Sequence, residues 1–181
     1  MSKEFSARSL DVKRFAEEGG KMEGQQPLSA YKRLMAETHG RNGEKPVTWS
    51  IAAELRNAGH VNPEIWMHLN SLATLELSCQ RCLAPVEVPV EVDRAFRFVS
   101  DEEAAAAQDE QSEEDVLALS RSFDLLALVE DEILMEMPLA PRHESCPVPV
   151  TLAVADEDID DGPGAAENPF AVLGRFKPRK S

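Results

Sequence analysis

The chain has 181 residues, of which 43% are hydrophobic and 29% are charged, and its formal net charge at pH 7 is −14. This length can bury one sizeable core, so we expect one domain with tails. No apolar run approaches the roughly 18–20 residues of a membrane helix. The start of the chain lacks the apolar stretch of a signal peptide, and three cysteines do not suit a secreted disulfide framework. We therefore expect a cytoplasmic protein.

The negative charge is confined to the second half of the chain. Residues 1–100 hold 13 Lys or Arg and 13 Asp or Glu, which cancel. Residues 101–181 hold 6 basic and 20 acidic residues, and 6 − 20 accounts for the whole −14. Attraction to a phosphate backbone is therefore not a property of the whole molecule, and any contact with nucleic acid requires a local basic patch.

The first 40 residues predict two short helices. Residues 8–18 are helix-like, and in residues 27–38 the apolar positions recur at helical spacing after Pro27, which suits a first helical turn. The intervening segment, residues 19–26 (GGKMEGQQ), is polar and rich in glycine, and it predicts a loop.

A block rich in β-strands follows. Apolar and polar residues alternate along residues 47–55, 65–77 and 86–92, and the last run continues into AFRFV. Pro89 cannot donate a hydrogen bond to a sheet, so it predicts a sheet edge or a bulge there. We expect an α+β fold in which an antiparallel sheet or small open barrel over residues 45–99 is packed by a C-terminal helix and the short N-terminal helices.

The second half of the chain alternates acidic and apolar segments. Residues 101–121 form an acidic, alanine-rich excursion that is either flexible or a solvated helix. Residues 124–137 predict a helix in which Asp124 is the N-cap and Pro138 follows the end. Its apolar face comprises Leu125, Leu126, Leu128, Val129, Ile133 and Met137, and Glu130, Asp131 and Glu132 are expected to lie mostly off that face.

The predicted domain covers residues 1–152, and two tail segments follow it. Residues 153–167 are a low-complexity acidic linker with little to bury. Residues 168–181 combine apolar and basic side chains and suit a docking segment or a helix that folds back on its own domain. The side chains proposed to contact a partner are Phe170, Arg175, Lys177, Arg179 and Lys180.

Two pairs of potential metal ligands lie far apart in the sequence. Cys79 and Cys82 form a C-x-x-C, and 60 residues later His143 and Cys146 form an H-x-x-C. Tetrahedral zinc takes cysteine and histidine ligands, and a two-residue gap lets both members of a pair reach one ion. The alternatives are unliganded buried thiols and a redox-active Cys79/Cys82 pair, although a redox pair normally precedes a helix and both flanks here are strand-like.

Signatures of catalysis are missing from the sequence. It contains no phosphate-binding loop, no dinucleotide-binding glycine motif and no nucleophile elbow. His39, His60 and His68 stand alone, and no set of residues supplies a nucleophile, a base and an orienting partner. We expect a protein that is not an enzyme.

Several segments together resemble the large ribosomal RNA subunit accumulation proteins, the YceD family. They are LELSCQRCLAPVEVPVEV followed by a phenylalanine, then FDLLALVEDEILMEMPLAPRH, a cysteine, and NPFAVLGRFK. The resemblance as a whole covers roughly residues 45–176. The family positions that match are Cys79, Arg81, Cys82, Asp124, Glu130 to Glu132, Pro138, His143 and Asn168 to Leu173. The resemblance implies a bacterial cytoplasmic ribosome-biogenesis factor without catalysis, needed for accumulation of large-subunit ribosomal RNA.

The partners implied are the large-subunit ribosomal RNA precursor or a ribosomal protein, with no membrane and no small-molecule substrate. The candidate RNA contacts are Arg81 beside the cysteines, Arg94 and Arg97 on the following strand, and the basic tail residues named above. Two other functions remain open at this point. One is an acidic chaperone that shields a basic ribosomal protein, and the other is a thiol-disulfide oxidoreductase that uses Cys79 and Cys82.

Overall fold

The structure is a computed structural model that describes residues 5–61, 63–109, 112 and 114–147. The predicted linker at 153–167 and the predicted docking segment at 168–181 lie outside the described residues, as do Phe170 and the four basic side chains of the tail. The described residues form one sheet with helices. Of these helices, none has the length and apolarity required to span a bilayer.

Five strands form one open sheet in the order in which they occur along the chain. Strands β1 to β4 pair antiparallel, and β5 pairs parallel to β4. The α+β prediction is confirmed, but the sheet is mixed rather than wholly antiparallel. The strands are β1 (Lys21–Pro27), β2 (Pro46–Arg56), β3 (Glu64–Ser78), β4 (Pro85–Val99) and β5 (Asp115–Ala118).

In the part of the chain that the structure describes, four α-helices and one short 3₁₀-helix accompany the sheet. The 3₁₀-helix, Leu28–Ala30, follows β1 directly. Helix α3 connects β4 to β5, so the acidic excursion contains a helix and a strand that the sequence did not specify. The α-helices are α1 (Val12–Glu17), α2 (Lys32–Glu37), α3 (Glu102–Asp109) and α4 (Leu125–Glu136).

One face of the sheet carries the hydrophobic core. Odd-numbered residues of β2 and β3 and even-numbered residues of β4 point to this face, as the alternation predicted, and they pack with apolar side chains of α1, α2 and α4. The opposite face is the open face. Its residues are Lys21, Glu23, Gln25, Thr48, Ser50, Ala52, Glu54, Arg56, Glu64, Trp66, His68, Asn70, Leu72, Thr74, Glu76, Glu87, Pro89, Glu91, Asp93, Ala95, Arg97 and Val99.

The prediction of a loop at residues 19–26 is wrong, because most of this segment is strand β1. Gly24, which suggested a loop, pairs with Trp49 in the neighbouring strand. A Cβ atom at this position would lie 2.5 Å from Cζ2 of Trp49, so the indole ring requires a glycine beneath it. The polar character of the segment reflects an edge strand, which among the described strands pairs with β2 alone.

The N-terminal helices are shorter than predicted. Helix α1 begins after Asp11, whose side chain accepts a hydrogen bond from the Arg14 amide, so residues 8–11 lie outside it. Pro27 ends β1 rather than beginning a helix, and α2 starts at Lys32. The prediction for Pro89 is confirmed within the described part of the chain, where β3 is the single strand neighbour of β4 at this point and β5 pairs further along, from Phe96 to Val99.

Helix α4 matches its prediction closely, except at one residue. Asp124 is the N-cap and accepts a hydrogen bond from the amide of Ala127 at 3.1 Å. The expectation that Glu132 lies off the buried face is wrong, because this residue is 4% exposed. It faces Arg94, whose Nε lies 3.9 Å from its carboxylate.

Candidate metal centre

The two cysteines nearest to each other in sequence lie in the turn between β3 and β4. The amide of Cys79 donates to Ala84 O at 2.9 Å, and the amide of Leu83 donates to Cys79 O at 2.9 Å. Leu83 adopts the left-handed conformation, with φ of 60°, and so reverses the chain immediately after Cys82. The turn therefore holds both cysteines on a short segment closed by backbone hydrogen bonds.

The chain after α4 returns to this turn. Pro138 follows the helix, and the amide of Gln80 donates to Pro141 O at 2.8 Å. The guanidinium group of Arg81 donates to the carbonyl oxygens of His143 and Glu144. These contacts hold the second ligand pair against the first.

Four potential ligand atoms converge here, as the sequence pattern required. One atom each from Cys79, Cys82, His143 and Cys146 can be chosen so that all four lie within 4.8 Å of one another. Cys79 Sγ lies 4.0 Å from Cys146 Sγ, and Cys82 Sγ lies 3.4 Å from His143 Nδ1. Two ligands of a tetrahedral zinc ion lie about 3.5–3.8 Å apart, given zinc–sulfur and zinc–nitrogen bonds of about 2.3 and 2.1 Å. The group could therefore hold a metal ion.

The histidine ring is oriented by a second contact. His143 Nε2 lies 3.0 Å from the carbonyl oxygen of Pro85, the first residue of β4. A carbonyl accepts hydrogen bonds, so Nε2 carries the proton and Nδ1 keeps its lone pair toward the cysteines. Such a hydrogen bond from the second ring nitrogen is the usual companion of a histidine that binds a metal.

The protonation of the thiols also suits a metal site. Burial of the Cys79 thiol opposes its ionisation, but hydrogen bonds from the backbone amides of Cys82, His143 and Arg81 outweigh it and lower the pKa to about 5. Burial, followed by hydrogen bonds with Cys82 and Cys79, raises the pKa of the Cys146 thiol. One thiolate is thus already favoured, and a cation would favour ionisation of the others.

The surroundings of the pair differ from those of a redox centre. Among the described residues, those after Cys82 lead into β4 and no helix begins directly after the Cys79/Cys82 pair, as the sequence had indicated. Cys79 is fully buried, which keeps its sulfur from an external disulfide. These features fit a structural role better than thiol exchange.

The other predicted contact residues do not form one patch. Arg94 lies on the core side of β4 and faces Glu132 and Glu136 of α4, at 3.9 and 3.7 Å. Arg97 lies on the open face and donates to Gln108 and Ser112, at 3.0 and 2.7 Å. Arg81 is bound to the carbonyls beside the metal ligands. RNA contact by these arginines stays a prediction.

Two structurally important side chains have roles that the sequence did not predict. Glu130 of α4 accepts hydrogen bonds from the amides of Arg33 and Leu34, at 2.7 and 3.3 Å, and so caps the N-terminus of α2, which has no cap of its own. Gln26 accepts from the indole of Trp49 and from the Tyr31 hydroxyl. Capping by a residue about 100 positions away has no local sequence signal.

Comparison with known proteins extends these observations. The sequence profile described as large ribosomal RNA subunit accumulation protein YceD matches residues 67–177. The chain belongs to the YceD family. A relative from Haemophilus influenzae, named large ribosomal RNA subunit accumulation protein YceD, is 32% identical over 108 residues, which are 57% of this chain and 60% of the relative. The match thus spans less than two thirds of that YceD protein, and no solved structure matches the chain.

Proposed function

We propose that this YceD-family protein is a non-catalytic ribosome-biogenesis factor that supports the synthesis, processing or accumulation of large-subunit ribosomal RNA. Family membership over residues 67–177 carries the proposal. The factor acts by binding the precursor RNA or a ribosomal protein. The compact four-ligand group supports a domain that presents a fixed surface rather than one that turns over a substrate.

Deletion of the gene tests this function. The ratio of large-subunit to small-subunit ribosomal RNA and particles should fall in the deletion strain, as measured on sucrose gradients and by RNA quantification. A plasmid that carries the wild-type gene should restore the ratio. Unchanged ratios in the deletion strain would refute the proposal.

The second part of the proposal is that Cys79, Cys82, His143 and Cys146 hold one zinc ion. The donor set, the spacing of the ligand atoms and the hydrogen bond from His143 Nε2 support zinc over harder cations, which prefer oxygen ligands. When bound, zinc supplies structural cross-linking between the β3–β4 turn and the chain after α4. Arg81 orients the carbonyls of this second segment.

Elemental analysis of protein purified without added zinc tests the metal. We expect about one equivalent of zinc in the wild type and its loss in Cys82→Ser, which removes one ligand of four. Ser145→Ala, at an exposed position beside Cys146, is the matched control and should keep the zinc. A wild-type protein without metal would support unliganded thiols instead.

Shielding of a basic ribosomal protein is a second candidate, favoured by the acidic charge of residues 101–115, which hold eight acidic residues and no Lys or Arg. Affinity purification from cells, with and without nuclease, separates it from RNA binding. A ribosomal protein that stays bound after nuclease treatment supports shielding. Loss of every partner after nuclease supports direct contact with RNA.

A further inference from the structure

Among the residues that the structure describes, α1, α2 and α4 cover one face of the sheet, and none of these three helices covers the open face. Most of its side chains are exposed or half-buried, including Leu72 at its centre, which is 46% exposed. Two rows of side chains run across all four antiparallel strands. They are Glu23, Ser50, Asn70 and Asp93 in one row and Gln25, Thr48, Leu72 and Glu91 in the next.

Charges near the ends of this face are matched, whereas those at its centre are not. Glu54 pairs with Arg56, Glu76 with Arg41 and Glu87 with Lys45. Among the residues that the structure describes, no Lys or Arg forms an ion pair with the three central carboxylates, Glu23, Glu91 and Asp93.

The nearest charged neighbours are few. Lys21 and His68 lie in the adjoining row, and His68 Nε2 lies 2.6 Å from Asp93 Oδ1. Arg97, further along β4, is bound to Gln108 and Ser112 in the connection to β5. The centre of the open face therefore presents three carboxylates around one exposed leucine, and among the described residues only His68 contacts one of them as a basic partner.

The segment beside this face adds charge of the same sign. The bonds from Arg97 place the connection that contains α3 against the open face at the end of β4. Asp101, Glu102, Glu103 and Asp109 are exposed on it. An RNA backbone would be repelled by these groups, while a cationic polypeptide would be attracted.

The spacing of the carboxylates suits an extended chain. Neighbouring strands lie about 4.8 Å apart, so Glu23 on β1 and Asp93 on β4 are separated by about 14 Å across the sheet. Side chains four residues apart on an extended polypeptide are separated by roughly the same distance, about 13–14 Å. Basic side chains at such positions would meet carboxylates near both edges while the intervening residues cross Ser50 and Asn70, one row from Leu72.

We propose that the open face, centred on Glu23, Glu91, Asp93 and Leu72, binds an extended basic polypeptide segment. This inference rests on the proposed function in that a ribosomal protein is the natural source of such a segment. Electrostatic attraction brings the segment to the face, and contacts with the polar rows and Leu72 hold it there.

Fluorescence anisotropy with a short labelled peptide of alternating lysine and threonine tests the surface. The full-length wild type should bind it, with affinity that falls as salt is raised. The triple variant Glu23→Gln, Glu91→Gln, Asp93→Asn should bind roughly tenfold more weakly, since exposed charge pairs contribute modestly each and three are removed. Zinc content and thermal unfolding of the variant verify that it is folded.

The matched control is Glu17→Gln, Glu37→Gln, Glu44→Gln, which removes the same charge from exposed positions outside the open face. It should bind the peptide within about twofold of the wild type. Equal weakening of both variants would overturn the proposal in favour of net charge alone. Absence of binding by the wild type would also overturn it, and so would tighter binding of a length-matched single-stranded RNA that the face variant loses.

Two further measurements distinguish peptide binding from self-association of the protein and from the ribosomal function. Sedimentation of the protein alone should give one species at all concentrations, and self-association that the face variant abolishes would assign the face to a second copy instead. The gene-deletion experiment is independent of the peptide titration. A deletion strain with normal RNA ratios would refute the ribosomal function while leaving peptide binding intact, and failed peptide binding with a clear deletion phenotype would refute this surface alone.

Discussion

Glu132 illustrates how one residue departs from the pattern of its own helix. Its side chain points into the structure between α4 and β4 and is almost completely buried. Burial raises the pKa of its carboxyl group, and the nearby acids Asp115, Asp131 and Glu136 act in the same direction, while Arg94 opposes them. The charged form of this carboxyl group is therefore favoured less in the folded protein than in water.

This residue makes stability depend on pH in a predictable direction. The folded state binds the proton of Glu132 more tightly than the unfolded chain does. The stability that this proton contributes is therefore fully present below the ordinary pKa of 4.5 and is lost as pH rises through the pKa of the folded state. Glu132→Gln should remove this loss, so the free energy of unfolding of the variant should increase relative to that of the wild type as pH rises from about 4.5. Urea unfolding at several pH values measures the difference.

The control for this prediction lies one helical turn further along α4. Glu136 faces the same Arg94, but its side chain is 47% exposed, where water screens its interactions. Its charge is the smallest of the contributions to the raised pKa of Glu132, so Glu136→Gln should follow the wild type much more closely than Glu132→Gln does across the same pH range. If the free energy of unfolding of Glu132→Gln changed with pH as that of the wild type does, burial of this carboxyl group would have no effect on stability.

At the scale of elements, α4 organises much of the core. Its Asp124 caps its own N-terminus, its apolar side chains pack on the sheet, and its Glu130 caps α2. Arg33 completes this contact through ion pairs with Glu130 and Asp131. The helix thus links the sheet to an N-terminal helix that is too short to be stable alone.

The N-cap provides a test of the role of α4. Asp124→Ala should lower the free energy of unfolding by about 1 kcal/mol, because the amide of Ala127 loses its acceptor. Asp124→Asn keeps an acceptor oxygen at the same position and should lose clearly less. Chemical denaturation of both variants measures the two losses in free energy of unfolding. Equal losses in the two variants would assign the effect to the charge of Asp124 instead of to capping.

At the scale of the whole described domain, the four-ligand group connects segments that are distant in sequence. Cys82 lies in the turn between β3 and β4, His143 lies in the chain after α4, and 60 residues separate them in sequence. A metal ion that binds both ends of this loop would restrict the unfolded chain much as a disulfide does. The hydrophobic core packs on the same sheet.

Removal of the metal should therefore destabilise the protein without unfolding it. Treatment with a zinc chelator is expected to lower the unfolding temperature by roughly 8–16 °C, on the basis of about 4 kcal/mol for a cross-link of this span and about 2–4 °C per kcal/mol for a domain of this size. Far-ultraviolet circular dichroism at room temperature should be unchanged. The Cys82→Ser variant should show no further shift with chelator, and an unshifted wild type would contradict a structural metal.

The sequence alone determined the features that have a local cause. Alternating residues specified β2, β3 and β4, because every second side chain of a strand meets the core. Asp124 and Pro138 bounded α4 through capping and steric effects. The spacing of Cys79, Cys82, His143 and Cys146 predicted that these four side chains could share one metal ion, and the structure brings them together. The segments around them pointed to the YceD family.

The tertiary structure decided everything that depends on residues far apart in the chain. Strand β1 forms because a neighbouring strand supplies its hydrogen bonds and Trp49 covers Gly24. Strand β5 pairs in parallel because α3 carries the chain back along β4. Glu132 is buried because β4 covers the position it occupies on α4. The charge of the open face is likewise a sum over four strands, and no single segment reveals it.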